Sequence, residues 1–534
     1  MKMSFSFPRY WILLSGLLML LGSNCSRKSI ASGDITDNEL PGIPHSKVKF
    51  KDMLGVNAFE WNFGSQNNPT EDSRFFKPFS NVRHYLDWRQ IESEKGKYGY
   101  NPTPRGGWKY DEIYEWCKAN DITVLACIKT IPDWLLETYP EEKRDVENVP
   151  AVFGADLSDP ASYIDFGKLA FQYAARYGSN QDVDPSLVHV EPVPHYNPNK
   201  KIIGSGLIQY IECNNEPDRI WKPTKVARQT PSEYAANLSA FYDGHQGELG
   251  HDVGVKNADP NMQVVMAGIA TPDPGYVQEI IDWCEKYRGR KPDGTIDLCF
   301  DVINYHHYAR NRETENNPTK QRGVAPELSN AASIAQQFVI LSNGHTNSIP
   351  VWNTESGYDI NQNSYQKAIP IKNKSALITQ ADWILRTSLL YARNGVSKLF
   401  FYMLHDVNAN STTQYMSSGF IDKESAEWTT KPSWNYLQQA KEILGEFYYQ
   451  STISDDPFVD KYVLDDRTIY SLVVPDEQGR SVDYELDLGN QTKQVKIYQL
   501  DAEAISAQSV ITSVKNGKIK LTVTETPIFV ELLR

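Results

Sequence analysis

The chain has 534 residues, of which 40% are hydrophobic, 12% aromatic and 23% charged, a balance that excludes disordered, collagen-like and low-complexity classes. Lys plus Arg number 54 against 67 Asp plus Glu, a formal charge of −13, so nucleic acid is excluded as the main partner and a neutral ligand fits better. At about 150 residues per domain the length allows three or four units, or two if one is a barrel, since a barrel alone absorbs roughly 250.

Lys2 and Arg9 precede an apolar run from Trp11 to Gly22. The run is too short to span a bilayer but has the length of the apolar part of an export signal. It ends at Leu21-Gly22-Ser23-Asn24-Cys25-Ser26, which resembles a bacterial lipobox of the kind found in exported lipoproteins of Bacteroidetes type. The resemblance implies a signal peptide over 1–24 and a lipidated Cys25. Periplasmic or outer-membrane-anchored location follows, with the membrane engaged through the lipid alone; cleavage by an ordinary signal peptidase is the alternative. Residues 25–46 are polar, with Gly and Pro punctuation, and read as a tether. Five cysteines follow Cys25: Cys117, Cys127, Cys213, Cys284 and Cys299. Their number is odd and no CxxC spacing occurs, so they are expected in the core, with neither a disulfide framework nor a zinc site.

Over 47–448 short apolar runs alternate with helical stretches, eight times: Met53 to Trp61, Asn81 to Trp88, Ile122 to Ile128, Leu207 to Cys213, Gln263 to Ile269, Asp301 to Tyr308, Ile349 to Thr354 and Lys398 to Leu404. Near-continuous apolar strands followed by helices predict a parallel sheet covered on its outer face. Eight units, with no GxGxxG after the first strand, favour a closed (β/α)8 TIM barrel over an open doubly wound sheet. Over 449–534 the texture changes to short alternating runs, Phe458 to Leu464, Thr468 to Val474, Val482 to Leu488, Val495 to Leu500, Lys518 to Thr524 and Pro527 to Leu532, with Asn516-Gly517 as a hairpin turn. This predicts a C-terminal all-β sandwich.

Reactive groups on such a barrel belong at the carboxyl ends of the strands. Glu216, after strand four, and Glu355, ending strand seven, are placed to face each other across the mouth. Retaining cleavage of an acetal needs such a pair, one acid and one nucleophilic carboxylate.

Asn215-Glu216-Pro217 and Thr354-Glu355-Ser356-Gly357 resemble the acid/base and nucleophile motifs of the clan A glycoside hydrolases, retaining enzymes on (β/α)8 barrels. Val82-Arg83, Trp88-Arg89-Gln90-Ile91-Glu92, Gly96-Lys97-Tyr98, Pro132-Asp133-Trp134-Leu135, His306-His307-Tyr308, Ser418-Gly419-Phe420-Ile421-Asp422 and Lys431-Pro432-Ser433-Trp434 match in the same order. The appended sandwich is similar to that of families 30 and 39, and family 5 shares the barrel. The resemblance implies Glu216 as acid/base with a raised proton affinity, and Glu355 as an ionised nucleophile paired with Arg83. It implies Asn215 on a sugar 2-hydroxyl, and His306 and Tyr308, on one side of strand six, orienting the carboxylates. Where the clan often ends strand eight in Trp, this chain has Phe401-Tyr402-Met403, so Tyr402 or Trp428 is expected as sugar platform, with Trp88, Trp134, Trp221 and Trp352 as further stacking surfaces.

Glu92 and Glu212 receive no catalytic role: Glu92 opens a helix, and Glu212, four residues before Glu216, is expected to point away from the mouth or lie below it. His306-His307 and the His189, His195 pair lack metal-site spacing, so no metal and no cofactor is expected. The reading is a monomeric retaining glycosidase acting on β-linked oligo- or polysaccharide of β-glucan, xylan or mannan type. The rivals are a noncatalytic carbohydrate-binding protein that keeps the cleft, and a barrel enzyme of other chemistry such as a lyase or transglycosylase.

Overall fold

The computed structural model describes residues 48–65, 67–191, 199–311, 320–422 and 428–533. The signal peptide, Cys25, the tether and His195 lie outside the described residues. No described helix is long and apolar enough to cross a membrane.

Eight parallel strands form the centre: β1 (Leu54–Asn57), β2 (Asn81–Asp87), β3 (Thr123–Lys129), β4 (Tyr210–Cys213), β5 (Gln263–Met266), β6 (Ile303–His306), β7 (Val351–Ser356) and β8 (Lys398–Phe401). Their order is β5-β4-β3-β2-β1-β8-β7-β6, and the ring closes between β5 and β6. There the ladder thins to isolated bridges, Val265 with Val302 and Ile269 with Tyr305, joined by the His306 N–H to the Ile269 carbonyl at 2.9 Å. The Asp301 carboxylate braces this seam, accepting from the Val264 N–H at 2.7 Å and pairing with Lys256 at 2.9 Å. Leu125, Val265, Val302, Trp352 and Phe400 fill the amino end of the barrel, so the interior is a packed core and ligands are confined to the carboxyl end.

The strands read as apolar runs because both faces are covered; β7 is buried at every residue. Helices Tyr110–Ala119, Ile164–Tyr177, Pro231–Asp243, Pro274–Tyr287, Ala331–His345, Ala376–Arg393 and Pro432–Leu444 cover the outer face. Their ends follow local chemistry. Thr230 caps Pro231–Asp243 through a reciprocal pair, its hydroxyl accepting from the Glu233 N–H and its own N–H donating to the Glu233 carboxylate. The expected helix after β1 is not formed. Only the single turns Glu60–Phe63 and Ser73–Phe76 occupy that stretch, because Gly64 and Pro69 interrupt it before an apolar helical repeat can build.

The C-terminal part holds a six-stranded antiparallel sheet and a two-stranded one. Two short strands, β9 (Ile421–Asp422) and β10 (Thr429–Thr430), come first; then follow β11 (Tyr448–Asp455), β12 (Phe458–Leu464), β13 (Arg467–Val473), β14 (Val482–Asp487), β15 (Gln494–Gln499), β16 (Gln508–Ser513), β17 (Lys518–Val523) and β18 (Ile528–Leu533). The large sheet runs β11-β12-β13-β18-β15-β16, and β14 pairs with β17. Val459, Leu472, Val495 and Val530 from one layer meet Leu486 and Val523 from the other in a separate core. Asn516 and Gly517 both have positive φ, 53° and 74°, the primed two-residue turn their sequence predicts.

The two parts are fastened together. Tyr462, Ile469 and Phe529 of the sandwich belong to the barrel's apolar core. Ion pairs on buried carboxylates cross the boundary as well: Arg393 holds Asp460 at 2.6 and 3.1 Å, and Lys374 reaches Glu525 at 2.7 Å. The five cysteines after Cys25 are buried and free, as expected; Cys284 and Cys299 touch through their sulfurs at 3.4 Å.

Candidate active site

Strand alternation brings Arg83 and Tyr85 of β2 and Asn304 and His306 of β6 into the barrel mouth, where Glu355 of β7 joins them. Glu355 needs more than alternation. The β6–β7 register shifts between Tyr305 and His306 and the β7–β8 register between Asn353 and Ser356, and this irregularity turns both Thr354 and Glu355 inward.

Glu216 arrives by a different device. β4 ends at Cys213, after which Asn214 and Glu216 take left-handed backbone conformations, φ 70° and 47°. Such a conformation is costly for a residue with a Cβ and persists only where its surroundings fix it. Here the Glu216 N–H donates to the Gly268 carbonyl at 3.1 Å, and the Asp218 carboxylate accepts from the N–H groups of Ala270 and Thr271 at 2.8 and 2.7 Å. Arg219 donates to the Asn215 carbonyl from the same turn.

One oxygen of Glu216, one of Glu355 and a ring nitrogen of His306 lie within 4.8 Å of one another. Glu355 Oε1 accepts from Arg83 Nη1 at 2.9 Å and from the Tyr85 hydroxyl at 2.5 Å, while Oε2 accepts from the Tyr308 hydroxyl at 3.0 Å. Burial pulls its proton affinity up, but the charges of His306 and Arg83 and the two tyrosine hydroxyls outweigh that, and the carboxylate is held below its ordinary range. His306 is fully buried. Burial lowers its affinity, yet the charge of Glu355 and the contact with Glu216 leave it raised above its ordinary 6.5.

The hydrogen bonds fix where the proton sits. Asn304 Nδ2 donates to Glu212 Oε1 at 3.1 Å, so its Oδ1 accepts from the Thr354 hydroxyl at 2.9 Å. Thr354 Oγ1 therefore accepts from His306 Nε2–H at 3.0 Å. That leaves His306 Nδ1 against Glu216 Oε1 at 2.9 Å, a contact that needs one proton, carried by either partner.

Arg83 is the hub. Its Nε and Nη2 fork onto the two oxygens of Glu212 at 2.6 and 3.0 Å, Nη1 also reaches Asn57 Oδ1 at 2.9 Å, and Nη2 reaches Asn215 Oδ1 at 2.7 Å. Because Asn215 spends its oxygen on Arg83, its amide N–H groups are left to donate outward. Glu212 lies below the mouth, as expected, and is the bidentate anchor of the arginine.

The stacking expectations divide. Trp88 is fully buried with its indole N–H on Glu92 Oε2 at 2.6 Å, and Trp352 belongs to the barrel interior, so neither is a sugar surface. Trp134 is half-buried edge-on to Trp88 under Lys95, and Trp428 stacks on Phe75 and meets His405 edge-on, so each has part of its ring against neighbouring side chains. Tyr402 stands beside the site, its ring 6.4 Å from Tyr85 and 5.7 Å from Tyr415. Trp221 is 60% exposed and lines a hollow of about 240 Å³ with Glu216, His306, Tyr308 and Tyr415. Sequence reasoning missed Tyr85 and Asn304, whose signal was their two-residue spacing from Arg83 and His306 on the same strands, and Thr354, which carried no signal of its own.

No protein-family model matches the chain, and no curated protein does. Solved structures share its fold. A family 39 glycoside hydrolase from Bacteroides cellulosilyticus WH2 superposes with TM-score 0.60 at 16% identity over 91% of this chain and 82% of its own. The catalytic domain of the family 30 xylanase C from Talaromyces cellulolyticus gives 0.54 at 10% identity over 92% and 99%. A family 44 xyloglucanase from Paenibacillus polymyxa gives 0.51 at 12% over 92% and 98%. The barrel with its β-sandwich is thus the fold of clan A glycoside hydrolase structures.

Proposed function

We propose that the protein is a retaining glycoside hydrolase that cleaves β-linked glycans of glucan, xylan or mannan type by double displacement. The observation that carries this reading is the approach of Glu216 and Glu355 oxygens to within 4.8 Å. Retaining enzymes hold their carboxyl groups about 5–5.5 Å apart, whereas inverting ones leave room for a water at about 6.5–9.5 Å.

In the first step Glu216 gives its proton to the leaving glycosidic oxygen while Glu355 attacks the anomeric carbon; the C–O bond breaks and a glycosyl ester forms. Oε1 is tied by Arg83 and Tyr85, so Oε2, which accepts only from Tyr308 among the bonds described, is the attacking atom. In the second step Glu216 takes a proton from water, whose oxygen attacks the same carbon and releases Glu355. The proton shared with His306 is the one Glu216 delivers. Asn215, oriented by Arg83, donates to the 2-hydroxyl as positive charge builds on the ring.

The test is a panel of β-linked polysaccharides and aryl glycosides with the native chain, Glu216→Gln and Glu355→Gln. Both variants are expected to lose on the order of 10³-fold or more in kcat, and azide is expected to restore aryl-glycoside turnover to Glu216→Gln as a β-azide. Full rates in both variants would falsify the assignment. The same reading includes export with lipidation at Cys25, checked by incorporation of labelled fatty acid that Cys25→Ala abolishes.

A further inference from the structure

Tyr85 and Tyr308 donate to the two oxygens of one carboxylate, Glu355, and each lines a different hollow. Tyr308 faces the hollow at the ends of β4 to β6, together with Glu216 and Trp221. Tyr85 faces a second hollow of about 370 Å³ at the ends of β1 to β3, together with Phe59, Trp61, Asp87 and Lys129. The two hollows therefore flank the nucleophile from opposite sides of the mouth.

Each carries one exposed indole. Trp221 is 60% exposed and Trp61 42%, unusual for so large an apolar ring. Trp61 is backed face to face by Phe59 at 4.5 Å and an interplanar angle of 6°, and Phe59 in turn meets Tyr85 at 5.7 Å. One face of Trp61 is thus held by protein, and its orientation is set by rings that lead back to the nucleophile.

We infer that these tryptophans are platforms for sugar rings on opposite sides of the scissile bond, Trp221 for the leaving-group side and Trp61 for the glycone side, so that an extended β-linked chain lies across the mouth and is cut internally. The inference rests on the glycosidase reading and adds direction to it. The polarity follows from the proton donor: Glu216 must stand beside the leaving oxygen, and it shares its hollow with Trp221. The hollow lined by Tyr85 lies on the other side of the nucleophile and receives the glycone's further rings. Polar groups there, Asp87 and Lys129, are of the kind that bind sugar hydroxyls.

The experiment digests cellohexaose, xylohexaose and mannohexaose, each labelled at the reducing end, with the native chain, Trp61→Ala and Trp221→Ala, alongside aryl monoglycosides of the same sugars. Native protein is expected to cut an accepted hexasaccharide at internal linkages. Trp221→Ala loses hold of leaving-group sugars, so its cuts move toward the labelled end. Trp61→Ala loses hold of glycone sugars, and its cuts move toward the other end. Each is expected to lower kcat/KM on the hexasaccharide by about tenfold, and Trp61→Ala lowers it more than it lowers kcat/KM on the aryl monoglycoside, which has no further glycone ring to lose. A merely structural loss moves both substrates together and shifts neither pattern. Release from one terminus only, unchanged patterns in both variants, or aryl glycosides cut while all three hexasaccharides are spared would overturn the inference and leave the chemistry standing. Failure on every substrate, aryl glycosides included, removes the glycosidase reading itself and the platforms with it.

Discussion

On the proposed reading the chemistry concentrates on one proton between His306 and Glu216 and one charge on Glu355, and both are visible in a pH–rate profile. Glu355 is held below the ordinary carboxylate value of 4.5, so its ionised form persists into acid and is lost only as pH falls through that lowered point. His306 is held above 6.5, so the shared proton persists through neutrality and is lost as pH rises past that raised point. kcat/KM on an aryl glycoside is therefore expected to fall below pH 4.5 on one side and above 6.5 on the other; an alkaline limb centred below 6.5 contradicts the shared proton. At this scale the sequence was partly legible. Glu216, Glu355 and Arg83 declared themselves through strand-end position and ordered motifs. The tryptophans did not, since whether an indole faces solvent or Phe75 is decided by tertiary packing that no local pattern encodes. The role of Glu212 was hidden by the left-handed turn at Asn214 and Glu216, which breaks the spacing rules that relate side-chain direction to sequence separation.

Among elements, the β5–β6 corner shows how closely the site is fitted. A Cβ on Gly268 would stand 2.1 Å from His306 Nε2 and 2.9 Å from Thr354 Oγ1, where no room exists. Gly268→Ala is expected to displace the imidazole, lowering kcat/KM by about 10²-fold while the far-ultraviolet circular dichroism stays native; unchanged kinetics would show that His306 tolerates the shift. Strands such as β3 and β5 were legible because burial on both faces writes a near-continuous apolar run, while β2, β6 and β7 carry polar site residues within that pattern. Two sandwich strands, β11 and β16, were not. Both are edge strands, and β16 exposes Gln508 to Ile511 entirely, so neither shows the alternation that marks a half-buried strand. The helix expected after β1 failed for the complementary reason: apolar Phe59, Trp61 and Phe63 belong to a turn that shapes the cleft.

For the molecule as a whole, the barrel and sandwich share core residues and buried charges, which predicts that they unfold together. Asp460 is 1% exposed and accepts from Nε and Nη2 of Arg393 and from the Thr452 hydroxyl. Removing it strands a mostly buried guanidinium, 14% exposed, so Asp460→Ala is expected to cost about 3 kcal/mol, read as a lower denaturant midpoint with one transition for both parts. Two resolved transitions, or a loss under about 1 kcal/mol, would show the junction to be loose.

The thin seam between β5 and β6 sits on the shorter arc of the ring from Glu216 to Glu355. Thermal loosening should begin where rungs are fewest, and parting those two strands widens the gap between Glu216 and Glu355 before any helix melts. Turnover should accordingly fade several degrees ahead of the calorimetric peak and return on cooling, with amide exchange quickest at 263–269 and 301–306. A catalyst built around such a join would carry its own thermal fuse.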